Sequence, residues 1–349
     1  MSPLAATAAV GILAITASCV ACDRTVDRPV DHPVPSRLAP GRDGTRNLSR
    51  ALSRTENLVD PARPDGHDRP MPSTTGRLTT PDGVHLAYRD HTPPPTLPAS
   101  GRTLLLLHGL AGHMGEWDDL LPALVADGHR VVMYDARGHG ASTRTPADMT
   151  RAACVRDAVT VIRELVPESG KLTLVGQSLG GHTAFLAAAE HPALLHSLIL
   201  IEAGPGAPDP ALPAHIAAWL DSWPTPFDSP ASATAFFGHE AWSRNLEQRS
   251  DGWYPRVDRR TTLAAVAEPA VTSYHSAWAA TTCPTLVVRG ANGTMAEADA
   301  TAMPAARAPG TTTRLAVVED AGHDVHLDKP DRLHATMAEF LNSLGSEAS

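Results

Sequence analysis

The first 87 residues contain no aromatic residue, although the chain of 349 residues has six tryptophans, four tyrosines and five phenylalanines. Cysteine is also scarce: Cys19, Cys22, Cys154 and Cys283 are too few and too scattered for a disulfide-stabilised scaffold. Cys19 and Cys22 have C-x-x-C spacing, but no second pair or matching histidine spacing accompanies them. We therefore expect no metal site.

An excess of basic residues is missing as well. The chain has 29 basic and 38 acidic residues, a formal net charge of −9 and no block of like charge. A nucleic-acid-binding protein would carry a basic patch, so we expect no nucleic-acid partner. Hydrophobic residues make up 42% and charged residues 19%, which is enough apolar material for a sizeable core. We expect a folded protein with a small-molecule substrate; the composition indicates no oligomeric state.

The amino-terminal part differs in composition from the rest. Residues 23–72 contain eight prolines and many arginines and aspartates without hydrophobic periodicity. Such a segment cannot bury enough surface to offset the entropy of ordering, so we expect residues 1–72 to be a disordered leader. The folded core is then expected at 73–202 and 281–349.

Residues 4–22 are mostly apolar, and three interpretations of them remain open. In the first interpretation, translation of the working protein starts at Met71, and the protein is cytoplasmic. Alternatively, residues 1–22 form a secretory or lipoprotein signal with Cys19 or Cys22 lipidated, although no lysine or arginine precedes the apolar run. The third interpretation is a membrane anchor. No membrane partner is expected unless one of the last two holds.

Strand and helix patterns alternate from residue 75 onward. Several strand candidates are short continuous apolar runs, typical of strands buried on both faces of a parallel sheet. Strands are predicted at 75–80, 84–90, 103–107, 130–134, 172–176, 197–201, 284–289 and 312–318. Helices are predicted at 117–127, 150–166, 179–190 and 330–344. This alternation predicts an α/β protein with a doubly wound, mostly parallel sheet.

The alternation breaks between residues 203 and 280. This stretch contains proline-rich turns, short amphipathic pieces and ten of the fifteen aromatic residues. We predict that it is an inserted helical cap. Some of its aromatic residues are expected to form the core of the cap and the others to line an apolar substrate pocket. Arg244, Arg249 and Arg256 are expected to be solvated, with steering of an acidic group as the alternative.

The most specific motif is Gly176-Gln177-Ser178-Leu179-Gly180, which matches G-x-S-x-G and stands between a predicted strand and a predicted helix. In that context the serine hydroxyl is exposed on a tight turn and acts as a nucleophile. The backbone N–H of Leu179, at the start of the helix, is a candidate donor to a developing oxyanion.

Two further loops complete the predicted site. His108-Gly109 ends a buried strand, and the loop after it is expected to supply the N–H of Leu110 as a second oxyanion donor. His108 itself is expected to be structural. His323 lies in a glycine-flanked loop between the last strand and the last helix and is the candidate base that activates Ser178. His326 is expected to pack beneath that loop.

The order of these motifs, together with YDARGHGAS at 134–142 and GHDVHLDKP, resembles the α/β-hydrolase fold superfamily, in its capped esterase and haloperoxidase-like branch. The resemblance covers residues 75–345. It implies an eight-stranded sheet with only the second strand antiparallel, a cap after the sixth strand, and the chain order nucleophile, acid, histidine. Asp135 and Arg137 match a structural turn of the superfamily, so no catalytic role is assigned to them.

One position departs from that pattern. Most relatives carry the acid in a G-x-x-D turn, but the corresponding segment 290–294 reads GANGT, with Gly293 in place of the carboxylate. Glu202, at the end of strand 197–201, is the best substitute, since branches such as the haloalkane dehalogenases place an acid there. Asp299 and Glu297 are the alternatives, both expected on the helix that follows the turn.

These residues predict a serine hydrolase that cleaves a medium-sized, partly hydrophobic ester, thioester or lactone through an acyl-enzyme. No metal or organic cofactor is implied. One alternative is a C–C bond hydrolase or a cofactor-free perhydrolase on the same scaffold. Another is a ligand-binding protein without turnover, which the missing carboxylate at position 293 favours.

Overall fold

A computed structural model of the chain describes residues 73–166 and 171–346. The leader expected at residues 1–72 lies outside the described residues. Among the helices of the described ranges, none is both long enough and apolar enough to cross a membrane.

The described residues form ten β-strands. They are Ser73–Thr79 (β1), His85–His91 (β2), Thr103–Leu107 (β3), Arg130–Tyr134 (β4), Leu172–Gln177 (β5), Ser197–Ile201 (β6), Leu246–Arg249 (β7), Gly252–Pro255 (β8), Thr285–Gly290 (β9) and Thr313–Val318 (β10). The eight strands predicted from the sequence are all present, with ends that differ by no more than two residues. The short apolar runs of β3, β5 and β6 are almost entirely buried, as expected of central parallel strands.

The main sheet of the described chain has eight strands in the order β1-β2-β4-β3-β5-β6-β9-β10. β2 pairs antiparallel with both β1 and β4, and every other pair is parallel. The resemblance to the α/β-hydrolase fold implied this pattern, and the structure confirms it.

The described helices cover both faces of this sheet and fill the segment between β6 and β9. They are Leu121–Ala126 (α1), Arg151–Leu165 (α2), Ser178–Glu190 (α3), Leu212–Asp221 (α4), Pro230–Phe237 (α5), Glu240–Ser243 (α6), Arg259–Ala267 (α7), His275–Ala280 (α8), Glu297–Ala302 (α9), Val325–Asp328 (α10) and Pro330–Ser346 (α11), with short 3₁₀ helices at Met114–Trp117 and Pro192–Leu194. The helix predicted at 117–127 is therefore shorter, because the chain turns at 118–120 and α1 begins at Leu121, with Pro122 in its first turn.

Two hydrophobic cores hold the helices on the sheet. α2, α3 and α8 pack on one face, where Phe185 and Trp278 are fully buried. α1 and α11 pack on the other face, and α11 presents Leu333, Met337 and Phe340 at helical spacing. Burial of each such side chain contributes roughly 1.5–3 kcal/mol. The sheet is thus covered on both faces, which leaves its carboxyl edge as the place for a site.

The segment 203–280 contains helices α4 to α8 and also the antiparallel hairpin β7–β8. The prediction of a helical insertion missed this hairpin, because two strands of four residues are too short to give a period-two signal. α8 packs against α3 through Trp278 and belongs to the core of the sheet. The limits of a separate cap unit stay a prediction.

Candidate active site

The candidate site residues follow neighbouring parallel strands. β3, β5, β6, β9 and β10 lie next to one another in the sheet and run in the same direction. Ser178 directly follows β5, Glu202 directly follows β6, and His323 lies in the loop after β10. The carboxyl ends of parallel strands meet at one edge, so residues up to 145 positions apart along the chain, as Ser178 and His323 are, reach the same region.

Ser178 sits on a strained turn between β5 and α3. Its φ of +49° lies in the left-handed region, which costs a non-glycine residue of order 1–3 kcal/mol. The flanking glycines allow this turn: a Cβ on Gly176 would collide with the backbone of Gly181, and one on Gly180 would collide with the carbonyl of His108. The G-x-S-x-G pattern therefore reflects close backbone contacts on both sides of the serine.

The carboxylate of Glu202 is buried and held by backbone amides. Its Oε1 accepts the N–H of Gly290 at 2.8 Å, and its Oε2 accepts those of Thr294 and Met295 at 2.8 and 3.0 Å. Glu202 also has a positive φ, +50°. The three N–H donors fix the carboxylate in position.

His323 contacts this carboxylate. Its Nδ1 lies 3.3 Å from Oε2 of Glu202 and 2.8 Å from Oγ1 of Thr294. Burial by itself lowers the pKa of His323, but the hydrogen bond to Glu202 and the nearby carboxylates, Asp324 among them, outweigh burial and raise that pKa above its ordinary value. Nδ1 facing two acceptors leaves Nε2 as the ring nitrogen that is free of the carboxylate.

The alternative carboxylates do not reach the imidazole. Glu297 and Asp299 lie in the first turn of α9 and are exposed. Asp299 lines the cavity next to the site, but within the described ranges neither residue forms a hydrogen bond with His323. Of the three carboxylates considered from the sequence, the structure places Glu202 against the ring.

Ser178, His323 and Glu202 line a single cavity of about 300 Å³. Leu110 and Leu179, predicted to donate backbone N–H groups, line it too. Leu179 is the second residue of α3, so its N–H has no acceptor within its own helix. The five residues predicted as a site are thus together around one space.

The loop that carries Leu110 is held by two buried histidines. Nε2 of His108 accepts the N–H of Ala136 at 3.0 Å, and Nε2 of His139 accepts the N–H of Ala111 at 3.1 Å. Burial is the main cause that lowers the pKa of both rings, and for His139 the value is about 3. Both rings are therefore neutral acceptors at pH 7, and His108 contacts the loop backbone, as its structural assignment predicted.

The sequence interpretation missed two side chains that hold the His323 loop. Nε2 of Gln177 donates to the carbonyl of His323 at 3.2 Å and lies 3.3 Å from Oδ1 of Asp324. Thr294 places its hydroxyl against the imidazole. Gln177 occupies a variable position of the serine motif and Thr294 follows Gly293, so neither carries a local signal that distinguishes it.

His326 packs beneath the site as expected. The residue is fully buried, its ring lies 4.7 Å from that of Trp117, and its Nε2 is 3.5 Å from Oε2 of Glu116. It does not line the cavity that Ser178 and His323 line. Its contacts are those of a core residue.

The aromatic residues of the insertion do not line the cavity in the way the sequence suggested. Most of them pack against one another with ring centroids 4.9–6.3 Å apart, and of the ten only Trp278 lines the cavity. The residues in this cluster are Trp219, Trp223, Phe227, Phe236, Phe237 and Trp242. The expectation that part of these residues line the pocket holds only for Trp278, because the clustered rings, two buried and four half-buried, pack against one another.

The cavity wall is mainly apolar, and its polar residues include His182, His215, His275 and His323. It includes Leu212 and Ile216 of α4, Val266 of α7, and Met295 and Met303 around α9. No lysine or arginine from the described ranges lines it.

The arginines considered from the sequence lie away from the cavity. Arg244 pairs with Asp119 at 3.1 Å, and Arg249 pairs with Glu247. Arg256 is absent from the cavity wall as well. The solvated role expected for these side chains agrees with their positions, and the steering of an acidic group has no support.

Comparison with known proteins gives matches along most of the described chain. A family model described as "Alpha/beta hydrolase family" matches residues 104–336. The sn-1-specific diacylglycerol lipase ABHD11 of Mus musculus is 35% identical over 128 residues, which cover 36% of this chain and 38% of that protein. The alignments span about two fifths of the length of the curated relatives matched.

Solved structures match over a larger share of the chain. E-2-(acetamidomethylene)succinate hydrolase superposes with a TM-score of 0.66 at 21% identity, over 77% of this chain and 99% of that chain. A hydrolase from Pseudomonas aeruginosa PA01 superposes with a TM-score of 0.59 at 26% identity, over 76% and 98% of the two chains. At 21% identity, the match to E-2-(acetamidomethylene)succinate hydrolase supports the fold alone.

Proposed function

Since this chain belongs to the alpha/beta hydrolase family, we propose that it is a serine hydrolase acting on a medium-sized, partly hydrophobic carboxylic ester, thioester or lactone. One observation carries the proposal. The imidazole of His323, with Nδ1 against the Glu202 carboxylate, lines the same cavity as Ser178 on its strained turn. A nucleophile, a base and a group that orients the base are the parts that covalent hydrolysis requires.

In the proposed reaction, Ser178 is the nucleophile and His323 the base. Glu202 and Thr294 at Nδ1 hold the imidazole in the tautomer whose Nε2 carries a lone pair. Nε2 takes the hydroxyl proton while Oγ bonds to the carbonyl carbon. The imidazolium that forms is stabilised by the buried carboxylate of Glu202.

The carbonyl oxygen becomes an oxyanion in this step. The backbone N–H groups of Leu110 and Leu179 are proposed to bind it, and each such donor is worth about 10²–10³-fold in rate. Collapse of the intermediate breaks the bond to the leaving group, which receives the proton from His323. Water, deprotonated by the same imidazole, then attacks the acyl group and releases the acid and free Ser178.

The cavity supports an uncharged substrate of moderate size. A volume of about 300 Å³ with aliphatic and methionine walls suits a short to medium acyl chain, whereas a polymer would not fit. Asp209 and Asp299 line it, and no lysine or arginine of the described residues does, so an acidic substrate would meet carboxylates without a guanidinium or ammonium partner. The mouse relative is named as a diacylglycerol lipase, in keeping with an ester bond.

The non-catalytic alternative rested on the missing carboxylate at position 293. The contact between Glu202 and His323 counts against this alternative, because the imidazole has an acidic partner even though position 293 is a glycine. Cleavage of a C–C bond and perhydrolysis use the same three residues, and no structural feature favours either over ester hydrolysis.

Labelling with a fluorophosphonate tests the nucleophile directly. We expect the folded protein to become labelled on the peptide that contains Ser178, and Ser178→Ala to abolish labelling. His323→Ala and Glu202→Gln should slow it. A panel of p-nitrophenyl esters, a vinylogous diketone, and peroxide with acetate then separates ester hydrolysis from the two alternative reactions. A folded protein that neither reacts with the probe nor turns over any of these compounds contradicts the proposal.

A further inference from the structure

His182 is a cavity residue that the proposed mechanism does not use. It lies on α3 four residues after Ser178, so the two share one face of the helix and are about 6 Å apart along its axis. Both line the same cavity. Ser178 is half-buried whereas His182 is only 9% exposed, which places the imidazole at the deeper level.

The ring of His182 is packed among aromatic residues. It meets the ring of Tyr274 at 4.5 Å and that of Phe185 at 4.8 Å, edge to face in both contacts. Within residues 73–166 and 171–346 neither ring nitrogen has a hydrogen-bond partner, and Nδ1 is fully enclosed. Burial lowers the pKa of His182 to about 3, so the ring is neutral at pH 7.

Such a residue has a cost for stability. A buried polar atom without a partner loses its hydrogen bonds to water without replacement, and an apolar side chain of similar size would avoid that cost. A local conflict of this kind, in the wall of a cavity that also holds a nucleophile, is typical of a functional position. Because Nδ1 is enclosed, Nε2 is the atom through which the ring can meet a ligand.

We propose that His182 determines specificity by hydrogen-bonding an uncharged polar group on the acyl chain of the substrate, roughly four to five carbons from the scissile carbonyl. This inference rests on the proposed function. The acyl chain is the part concerned because it stays on Ser178 until water attacks, while the leaving group must escape to solvent. A keto, hydroxyl or amide group fits, since a neutral imidazole can donate or accept. A carboxylate does not fit, since no lysine or arginine of the described residues lines the wall.

The test compares p-nitrophenyl 5-oxohexanoate with p-nitrophenyl hexanoate. We expect the wild-type protein to prefer the keto ester by about 3–10-fold in kcat/KM, the range that one neutral hydrogen bond supplies. His182→Leu should lose this preference and retain fluorophosphonate labelling of Ser178. His182→Gln, which carries an amide near the position of Nε2, should recover part of it.

A control and a stability measurement separate this role from a structural one. His191→Leu makes the same change at the end of the same helix, outside the cavity wall, and should keep the preference. His182→Leu should be at least as stable to urea as the wild type. Equal rates with both esters in the wild-type protein, or an unchanged preference in His182→Leu, overturn the proposal.

A binding experiment measures the contribution of His182 to ligand affinity in the absence of turnover. In a Ser178→Ala background, methyl 5-oxohexanoate should bind about 3–10-fold more tightly than methyl hexanoate by calorimetry, and added His182→Leu should remove the difference. If esters are not hydrolysed but this difference is found, the proposed function fails and the His182 proposal stands. If esters are hydrolysed but the two methyl esters bind equally well, the proposed function stands and the His182 proposal fails.

Discussion

The carboxylate of Glu202 occupies the space into which a side chain at position 293 would project. A Cβ built on Gly293 would collide with all three atoms of that carboxylate group. The turn after β9 therefore brings backbone N–H groups to the carboxylate and the Thr294 hydroxyl to His323, and the acid comes from the end of the neighbouring strand β6. The Glu202 carboxylate can occupy its position beside His323 only because residue 293 is a glycine.

Replacing Glu202 by glutamine should leave the fold intact and impair the reaction. The amide can no longer stabilise an imidazolium, and it can turn its NH₂ towards Nδ1 and favour the wrong tautomer of His323. We expect kcat/KM for a p-nitrophenyl ester to fall by on the order of 10³–10⁴-fold. Asp299→Asn is the matched control, because Asp299 lines the cavity without contacting the imidazole. A full rate in Glu202→Gln would exclude Glu202 as the acid.

The acid should be transferable from position 202 to position 293. Gly293→Asp alone should lower activity and stability, because its side chain collides with the Glu202 carboxylate. In the double variant with Glu202→Gly, glycine accepts the φ of +50° and leaves room for the new carboxylate. We expect the double variant to exceed either single variant in kcat/KM. Additive losses in the double-mutant cycle would contradict this arrangement.

Activity should fall as the pH is lowered through the pKa of His323. The base acts in its neutral form, and the structure raises that pKa above the ordinary value, chiefly through the hydrogen bond to Glu202 against the opposing effect of burial. The acidic limb of kcat/KM, measured from about pH 5 to about pH 9, should therefore lie above the pH expected for a free imidazole. Glu202→Gln should move the limb to lower pH, and an unmoved limb counts against the pairing.

The buried ion pair of Arg137 and Asp157 should govern stability without a role in the chemistry. The guanidinium is fully buried and holds both oxygens of Asp157 at 2.6 Å. Asp157→Ala removes the buried partner, but Arg137 keeps its partly exposed partner Asp82 at 3.0 Å. The free energy of unfolding should therefore fall by less than the roughly 3–5 kcal/mol of a fully unpaired buried charge. Urea unfolding measures the loss. Fluorophosphonate labelling of the remaining folded protein should proceed at the wild-type rate. Slower labelling would indicate that the Arg137–Asp157 pair contributes to the chemistry.

His239 should link the insertion to the His323 loop in a pH-dependent way. Its Nε2 is 3.0 Å from Oδ1 of Asp328, whose Oδ2 accepts the N–H of Gly322 beside His323. The hydrogen bond to Asp328 raises the pKa of His239, although burial opposes it. The stabilisation is therefore complete below the pKa of the unfolded chain and is lost as the pH rises through the higher folded value.

This link is partly exposed, so His239→Gln should cost less than about 1 kcal/mol near pH 6 and almost nothing near pH 9. Urea midpoints at the two pH values measure the difference. His191→Gln, a change outside this contact, serves as the control and should show the same small effect at both. A loss in His239→Gln that does not depend on pH would show that packing, and not charge, holds the contact.

Local patterns in the sequence were sufficient for the eight strands of the main sheet, four of the helices and the position of Ser178. The central strands are continuous apolar runs because both their faces are covered, and α11 shows its buried side at helical spacing. The turn around Ser178 needs glycines where backbones approach closely. Each of these requirements acts on neighbouring residues, so it leaves a mark within a short stretch of chain.

Tertiary structure decided what depends on contacts between distant segments. It placed Glu202, and not Asp299 or Glu297, against His323, brought Gln177 to the carbonyl of His323, and turned the aromatic residues of the insertion towards one another. It also formed the hairpin β7–β8. Such contacts join residues of ordinary type across many positions, and their energies depend on distance and orientation in space, which no local periodicity encodes.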